Sequence, residues 1–183
     1  RKIQGRFLDI VFQSNSRESL SFISEAIKGY SVKSEKRLVN FYSSYITKER
    51  LVPFKDFNAS LIRDLLPLHP SVAVLLTPLF KKLAQNERSV FSFIFSEEAF
   101  GLQGFLTDVN SCSYTLENLY NYVKGNLSYQ VIGTPLANTW SQIEAIFIRH
   151  PEISIQENSV FKTICMLDLF RDLIQIPPTI ENI

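Results

Sequence analysis

The sequence predicts an all-α chain, an irregular bundle of about seven to nine helices with one short N-terminal strand. Three observations carry this. Apolar residues recur at helical spacing along most of the 183 residues. Capping residues and prolines cut that pattern into pieces of helix length. Only residues 6–12 (RFLDIVF) have the short, partly β-branched apolar character of a strand. A lone strand cannot satisfy its own backbone. Its sheet therefore lies outside this stretch or comes from another chain.

Asn15-Ser16-Arg17-Glu18 has the spacing of a capping box, with an amide in place of the hydroxyl. Leu20, Ile23, Ile27 and Tyr30 continue the pattern, with a stop near Gly29. Ser34 is placed to cap a second helix. Its inward face is Leu38, Tyr42 and Tyr45, or Val39, Tyr42 and Ile46. Pro53 interrupts, and residues 54–66 form a short helix ended by Pro67 and Pro70.

Residues 66–95 hold the longest apolar surface. Pro70 suits a first helical position, where its missing N–H costs nothing. Val72, Leu75, Leu76, Leu79, Phe80 and Leu83 make one apolar face. Pro78 removes a backbone bond inside that helix and predicts a kink near Val74 and Leu75. Lys81 and Lys82 stand at its end, where cations favour the dipole. Asn86 can cap the next helix, which carries Val90, Phe91, Ile94 and Phe95. The expectation is a bent hairpin with Gln85, Asn86, Glu87 and Arg88 at its corner. That cluster is either a solvated cap or a hydrogen-bonded knot that fixes the bend or meets a partner.

Ser96 is predicted to cap a helix with Glu97 and Glu98 in its first turn and Ala99, Leu102, Leu106 and Val109 along it. Residues 110–113 are turn material. Leu116, Leu119, Tyr120, Val123 and Leu127 mark an amphipathic helix. After Gly133, Thr134-Pro135 reads as cap and first position of a helix burying Leu136, Trp140, Ile143 and Phe147. A last helix, about 158–174, is apolar nearly all round, and Pro177-Pro178 closes the ordered part.

Composition is that of a globular protein, 45% hydrophobic and 20% charged, with enough mass for a core. Fifteen phenylalanines predict a core rich in aromatics. A net charge of +1 gives no electrostatic case for nucleic acid. Three cations, Lys81, Lys82 and Arg88, would add little phosphate affinity. No apolar run reaches the ~20 residues of a membrane span. Cys112 and Cys165 lack metal spacing, and a reduced, cytoplasmic setting is the simplest expectation. The chain opens at Arg1, without Met, as a piece of something longer would.

The residues offer no active site of a familiar kind. None of the six glycines fits a phosphate loop, so no nucleotide cofactor is expected in this stretch itself. Gly101-Leu-Gln-Gly104 matches a bare G-x-x-G clamp, but inside a helical pattern it reads as close packing. His69 and His150 read as helix-edge residues, and no metal site is expected. Asp168 lies among apolar neighbours, with Arg171 better spaced than Lys162 for an intrahelical pair.

Arg1-Lys-Ile-Gln-Gly5-Arg6-Phe7, followed by the apolar strand, resembles the end of the second region of homology in AAA+ ATPases. Two further stretches are similar to a pattern in large multidomain bacterial P-loop ATPases, some of them associated with anti-phage defence. One is LPLHPSVAVLLTPLFKKLAQNERSVFSFI with GLQGFL. The other is the tail, with Leu119-Tyr120-Asn-Tyr122, Trp140-Ser-Gln-Ile-Glu-Ala and Phe161-Lys162-Thr163-Ile164. The resemblance implies that Arg6, with Arg1, reaches a neighbouring subunit's nucleotide. It implies residues 1–14 as the end of an ATPase core, 15–156 as a helical lid or regulatory domain, and 157–183 as a packing helix leading into a winged-helix-like segment. ATP and Mg would belong to the parent protein. The implied partners are the upstream ATPase core and further copies in a homo-oligomer, with neither nucleic acid nor membrane. The expected function is a non-catalytic lid that couples nucleotide state to an effector domain. The alternative is a helical protein–protein interaction module with no nucleotide role.

Overall fold

The computed structural model describes residues 16–30, 32, 34–83, 88–107 and 112–183. The predicted strand at 6–12 lies outside them. Among the described residues the chain is all-helical, without a sheet. Helix α1 is Ser16–Ile27, α2 Glu35–Glu49, α3 Ala59–Leu65, α4 Pro70–Leu83, α5 Arg88–Phe95 and α6 Leu102–Thr107. Helix α7 is Leu116–Tyr122, α8 Ser128–Ile132, α9 Ala137–Arg149, α10 Ile155–Leu169 and α11 Arg171–Ile174.

The apolar pattern that predicts α4 is the one it buries. Val72, Leu75, Leu76, Leu79 and Phe80 are closed to solvent, and the helix runs on through Pro78. Helices α1, α3, α5, α7 and α11 all pack against α4. One core runs from Leu20 of α1 to Ile176 beyond α11, so residues 157–183 share it with the helices before them. Val39, Tyr42, Ile62 and Leu66 form a smaller cluster between α2 and α3. Of the two faces open to α2, the Val39–Tyr42 one is thus the more deeply buried. Helices α4 and α5 form the expected hairpin, with the rings of Phe80 and Phe93 6.1 Å apart. Its corner, residues 84–87, lies outside the described residues.

One piece of extended backbone enters α4. After a cis Leu66–Pro67 bond, Leu68 makes an isolated parallel bridge with Tyr114. Tyr114 donates its N–H to the Pro67 carbonyl at 2.8 Å, and His69 donates to the Tyr114 carbonyl at 2.9 Å. Turn residues far apart in sequence thereby satisfy each other's buried backbone.

Several local expectations change. Ser34 precedes α2 but in a left-handed conformation and without a side-chain cap. Ser96 ends α5 rather than starting a helix. Its N–H and Oγ both donate to the Ser92 carbonyl, at 2.9 and 2.6 Å. Residues 97–101 then form a turn, and α6 starts at Leu102. Thr134 turns the chain ahead of α9, its Oγ1 donating to the Val131 carbonyl at 2.7 Å, and the helix itself begins at Ala137. The amphipathic run at 116–127 extends to 132 and carries a π-helical turn, Val123–Leu127, between α7 and α8. The last helix begins earlier than expected, capped by Ser154 and Glu157, and breaks at Phe170 into α10 and α11. The two breaks, at the π turn and at Phe170, raise the number of pieces above the expected range. The Phe170 break also takes Arg171 off the helix that carries Asp168, and no ion pair joins the two among the described residues.

Gly101 is closely packed. A Cβ there would lie 3.0 Å from the Glu98 carbonyl oxygen, whereas Gly104 faces open space. The close-packing expectation therefore holds for the first glycine of the pair alone.

Phe93 is the centre of the aromatic core, 5.0 Å from the ring of Tyr122 and 5.3 Å from that of Tyr114. Phe93→Ala is expected to lower stability by about 3–5 kcal/mol. Urea denaturation checks this, and a cost near that of a surface substitution would mean that these rings do not pack as described.

Candidate functional site

Of the residues singled out from sequence, Arg1, Arg6, Gln85, Asn86 and Glu87 lie outside the described residues. Arg88 opens α5, and the position of its side chain is likewise outside them. The described part brings together other polar groups.

The densest set lies where α7, the π turn, α9 and α10 meet. Tyr120 stacks on Trp140, with centroids 5.2 Å apart, and its hydroxyl donates to Glu144 Oε1. Glu144 Oε2 is 2.5 Å from Lys124 Nζ, supplied by the π turn. On the other side, Lys162 Nζ stands 6.0 Å from the Tyr120 ring centre and 3.7 Å from Glu117 Oε1. Ser159 Oγ donates to Glu117 Oε2 at 2.6 Å. Lys162 thus serves Glu117 rather than Asp168. The Tyr120 hydroxyl is held well above its usual pKa by burial and then by the Glu144 carboxylate. The group stays a neutral donor, and each carboxylate has both a cation and a hydroxyl. Cys165, nearby, is reduced and buried, its thiol pushed up to about 11 by burial and then by Asp168 and Glu144. That is the opposite of an activated nucleophile.

A second set pins the turn at 97–101. Tyr122 donates to Glu98 Oε2 at 2.5 Å, Tyr114 to the Phe100 carbonyl at 2.7 Å, and Asn126 Nδ2 to the Ala99 carbonyl at 2.7 Å. Phe100 itself is left-handed, φ 62°, and exposed. Its ring lies over Gly125, where a Cβ would come within 3.2 Å of it. Such a conformation is uncommon for a bulky residue and persists where neighbours hold it.

The predicted helix-edge histidines are both at helix edges. His150 ends α9 and faces Glu152 at 3.1 Å. His69 Nδ1 accepts the Ser71 N–H at 3.2 Å, and its carbonyl accepts from Val72 and Ala73. His69 is therefore the N-cap of α4. Tyr42 lies edge-on to its ring at 4.9 Å and Tyr45 tilted at 6.2 Å. Burial lowers its pKa to about 4.

A cleft of about 360 Å³ opens between α1, the 3-10 turn Val52–Phe54, α4 and α11. Leu20, Val52 and Ile174 are among its apolar walls, and Ser19, Lys55, Thr77, Lys81 and Gln175 are its polar lining. Among the described residues no group of three or more His, Cys, Asp or Glu side chains could hold a metal ion. No described helix is long and apolar enough to cross a membrane.

No protein-family model matches the chain, and neither a curated protein nor a solved structure matches it.

The tyrosine–carboxylate pairs carry no signal in the sequence, since each joins residues 24 apart on different elements. The Ser154-x-x-Glu157 capping box, by contrast, is a signal that the sequence itself carries.

His69 makes stability pH-dependent with a definite sign. Its folded pKa lies below the unfolded value of 6.5. Its contribution is complete above pH 6.5 and is lost as pH falls towards 4, because the unfolded chain then binds the proton first. The residue keeps some solvent access, so a loss of about 1–2 kcal/mol is expected rather than the full effect of the shift. His69→Asn retains a cap without titrating. Urea midpoints between pH 7 and 4 should fall less steeply in that variant than in the native chain.

Proposed function

We propose that this chain is a non-catalytic helical lid and regulatory module of a large bacterial P-loop ATPase, working in the cytoplasm and coupling nucleotide state to a partner or effector domain. The observation that carries the non-catalytic part is how the polar side chains are spent. Glu98 and Glu144 accept from tyrosines, and Glu117 accepts from Ser159 beside Lys162. Glu157 closes a cap, and His69 caps α4 with its pKa far below neutrality. Groups so committed to holding helices together are poorly placed to move protons. The ATPase part is supported by Gly5-Arg6-Phe7 and its flanking strand pattern. In this reading ATP and Mg bind an upstream core, and Arg6, aided by Arg1, reaches the nucleotide of the next subunit in a homo-oligomer. Gln85, Asn86, Glu87 and Arg88 form the corner that meets the core or an effector.

A second reading, a protein-interaction module without a nucleotide role, is favoured by one observation. Phe22, Phe91 and Phe95 form a contiguous row of exposed aromatic rings.

The purified 183-residue chain is expected to show no turnover of Mg-ATP. In the longer protein, an upstream G-x-x-x-x-G-K-[ST] motif separates the two readings. Where it is present, Arg6→Ala should reduce hydrolysis at least about tenfold with the fold intact, through loss of transition-state charge stabilisation in trans. Unchanged turnover in the assembled oligomer would overturn the ATPase reading.

A further inference from the structure

We propose that the cleft between α1, the 3-10 turn Val52–Phe54, α4 and α11 binds a small anion with an apolar body, of the kind of a carboxylate on a short hydrocarbon chain. Two departures from ordinary local structure meet there. Pro78 stands inside α4, where it supplies no N–H to the Val74 carbonyl, and both residues line the cleft. Gln175 ends α11 in the left-handed conformation, φ 51°, at a place that glycine usually takes, and it too lines the cleft. Pro78 is half-buried and Gln175 exposed, so the apolar core requires neither. Alanine at 78 and glycine at 175 would suit the backbone better. Residues that break a local rule with no return to the core gather at binding sites.

The ligand's chemistry follows from the lining. Val74, Thr77, Pro78 and Lys81 fall at i, i+3, i+4 and i+7, on one face of α4. The charged residues of the lining are Lys55 and Lys81, both cations, and no carboxylate stands among the described residues that line it. The Lys55 ammonium, the Thr77 hydroxyl and the Gln175 amide come from three separate elements and are all hydrogen-bond donors suited to an anionic head. The apolar walls favour a hydrocarbon body over a second charged group. A volume of about 360 Å³ lies at the small end of the roughly 300–1,000 Å³ range of ligand sites. It suits an acyl chain or a pair of rings rather than a segment of protein. Every residue used here lies on a described helix or turn, and the site is independent of the ATPase reading.

The test is displacement of anilinonaphthalene sulfonate, a fluorescent anion with apolar rings, from the full chain. Octanoate is expected to displace the dye at least about fivefold more effectively than octanol, which has the same body without the charge. Lys55→Gln should weaken octanoate by about that factor and leave octanol unchanged. Pro78→Ala and Gln175→Gly should each weaken octanoate at least about threefold while keeping or raising the native urea midpoint, a combination that a merely structural role would not produce. Equal displacement by octanol and octanoate, or octanoate binding untouched by Lys55→Gln, would overturn the proposal. A lower midpoint in both Pro78→Ala and Gln175→Gly would make these residues structural and overturn it equally. So would dye binding that is lost in Phe91→Ser and kept in Lys55→Gln, which would place the dye on the exposed rings of α1 and α5. A chain that takes up neither dye nor octanoate at millimolar concentration overturns it as well.

Discussion

Four tyrosine rings are buried in this bundle and a fifth, Tyr45, is half-buried, and each carries a hydroxyl that burial disfavours leaving unpaired. Tyr42 reaches Ser113 Oγ at 2.6 Å, Tyr45 reaches Asn182 Oδ1 at 2.7 Å, and Tyr114 the Phe100 carbonyl. Tyr120 and Tyr122 reach Glu144 and Glu98. Every one of these bonds ties a helix or the central turn to an element distant in sequence. The turn at 97–101, the approach to α7 and the tail after α11 are held this way rather than by apolar contact alone. Losing such a partner costs more than the bond contributes, because the orphaned group stays dry. The positions of the irregular segments therefore depend on where the tyrosines emerge from the core.

The π turn adds contacts of its own. Helices α7 and α8 are one amphipathic run with an irregular turn between them. Within it Lys124 meets Glu144, Gly125 admits the Phe100 ring, and Asn126 holds both the Ala99 and the Tyr122 carbonyls. Three consecutive residues make contacts in separate directions, and wide turns of this kind are frequent where a helix must re-aim its side chains.

What was legible in the sequence was periodic. The faces of α1, α4, α7 and α9 follow from apolar spacing, because a helix fixes which residues share a side. Glycine also spoke plainly where conformation required it, as at Gly29 with φ 100° after α1. What stayed hidden depends on contacts made through space. Ser96 looks like a cap because Glu97 and Glu98 follow it, yet Glu98 is drawn to Tyr122, 24 residues away, and the helix starts later. Around Phe170 the sequence carries neither glycine nor proline to mark a break, and Asp168, Arg171 and Asp172 fit the exposed side of an unbroken helix as well as that of two short ones. Of the candidate site, His69 at a helix edge was readable from its place before Pro70. The Tyr120–Glu144 cluster was not, and the corner at 84–87 with Arg1 and Arg6 lies outside the described residues.

Charge gives this surface little to offer a partner. Basic and acidic residues nearly balance, 19 to 18. The exposed pairs Lys28–Glu25 and Arg63–Glu35 are of the kind that contribute little and are screened by salt. Apolar area is more plentiful. Phe41, Tyr129, Ile148 and Ile155 are all well exposed, but they stand on different helices. Separated residues of this sort are the ordinary remainder of a folded surface. Phe22, Phe91 and Phe95 differ because each ring already touches the next, so covering one dehydrates its neighbour as well. An association built there would respond weakly to ionic strength and strongly to the loss of a single ring, the reverse of what a charge-driven interface shows.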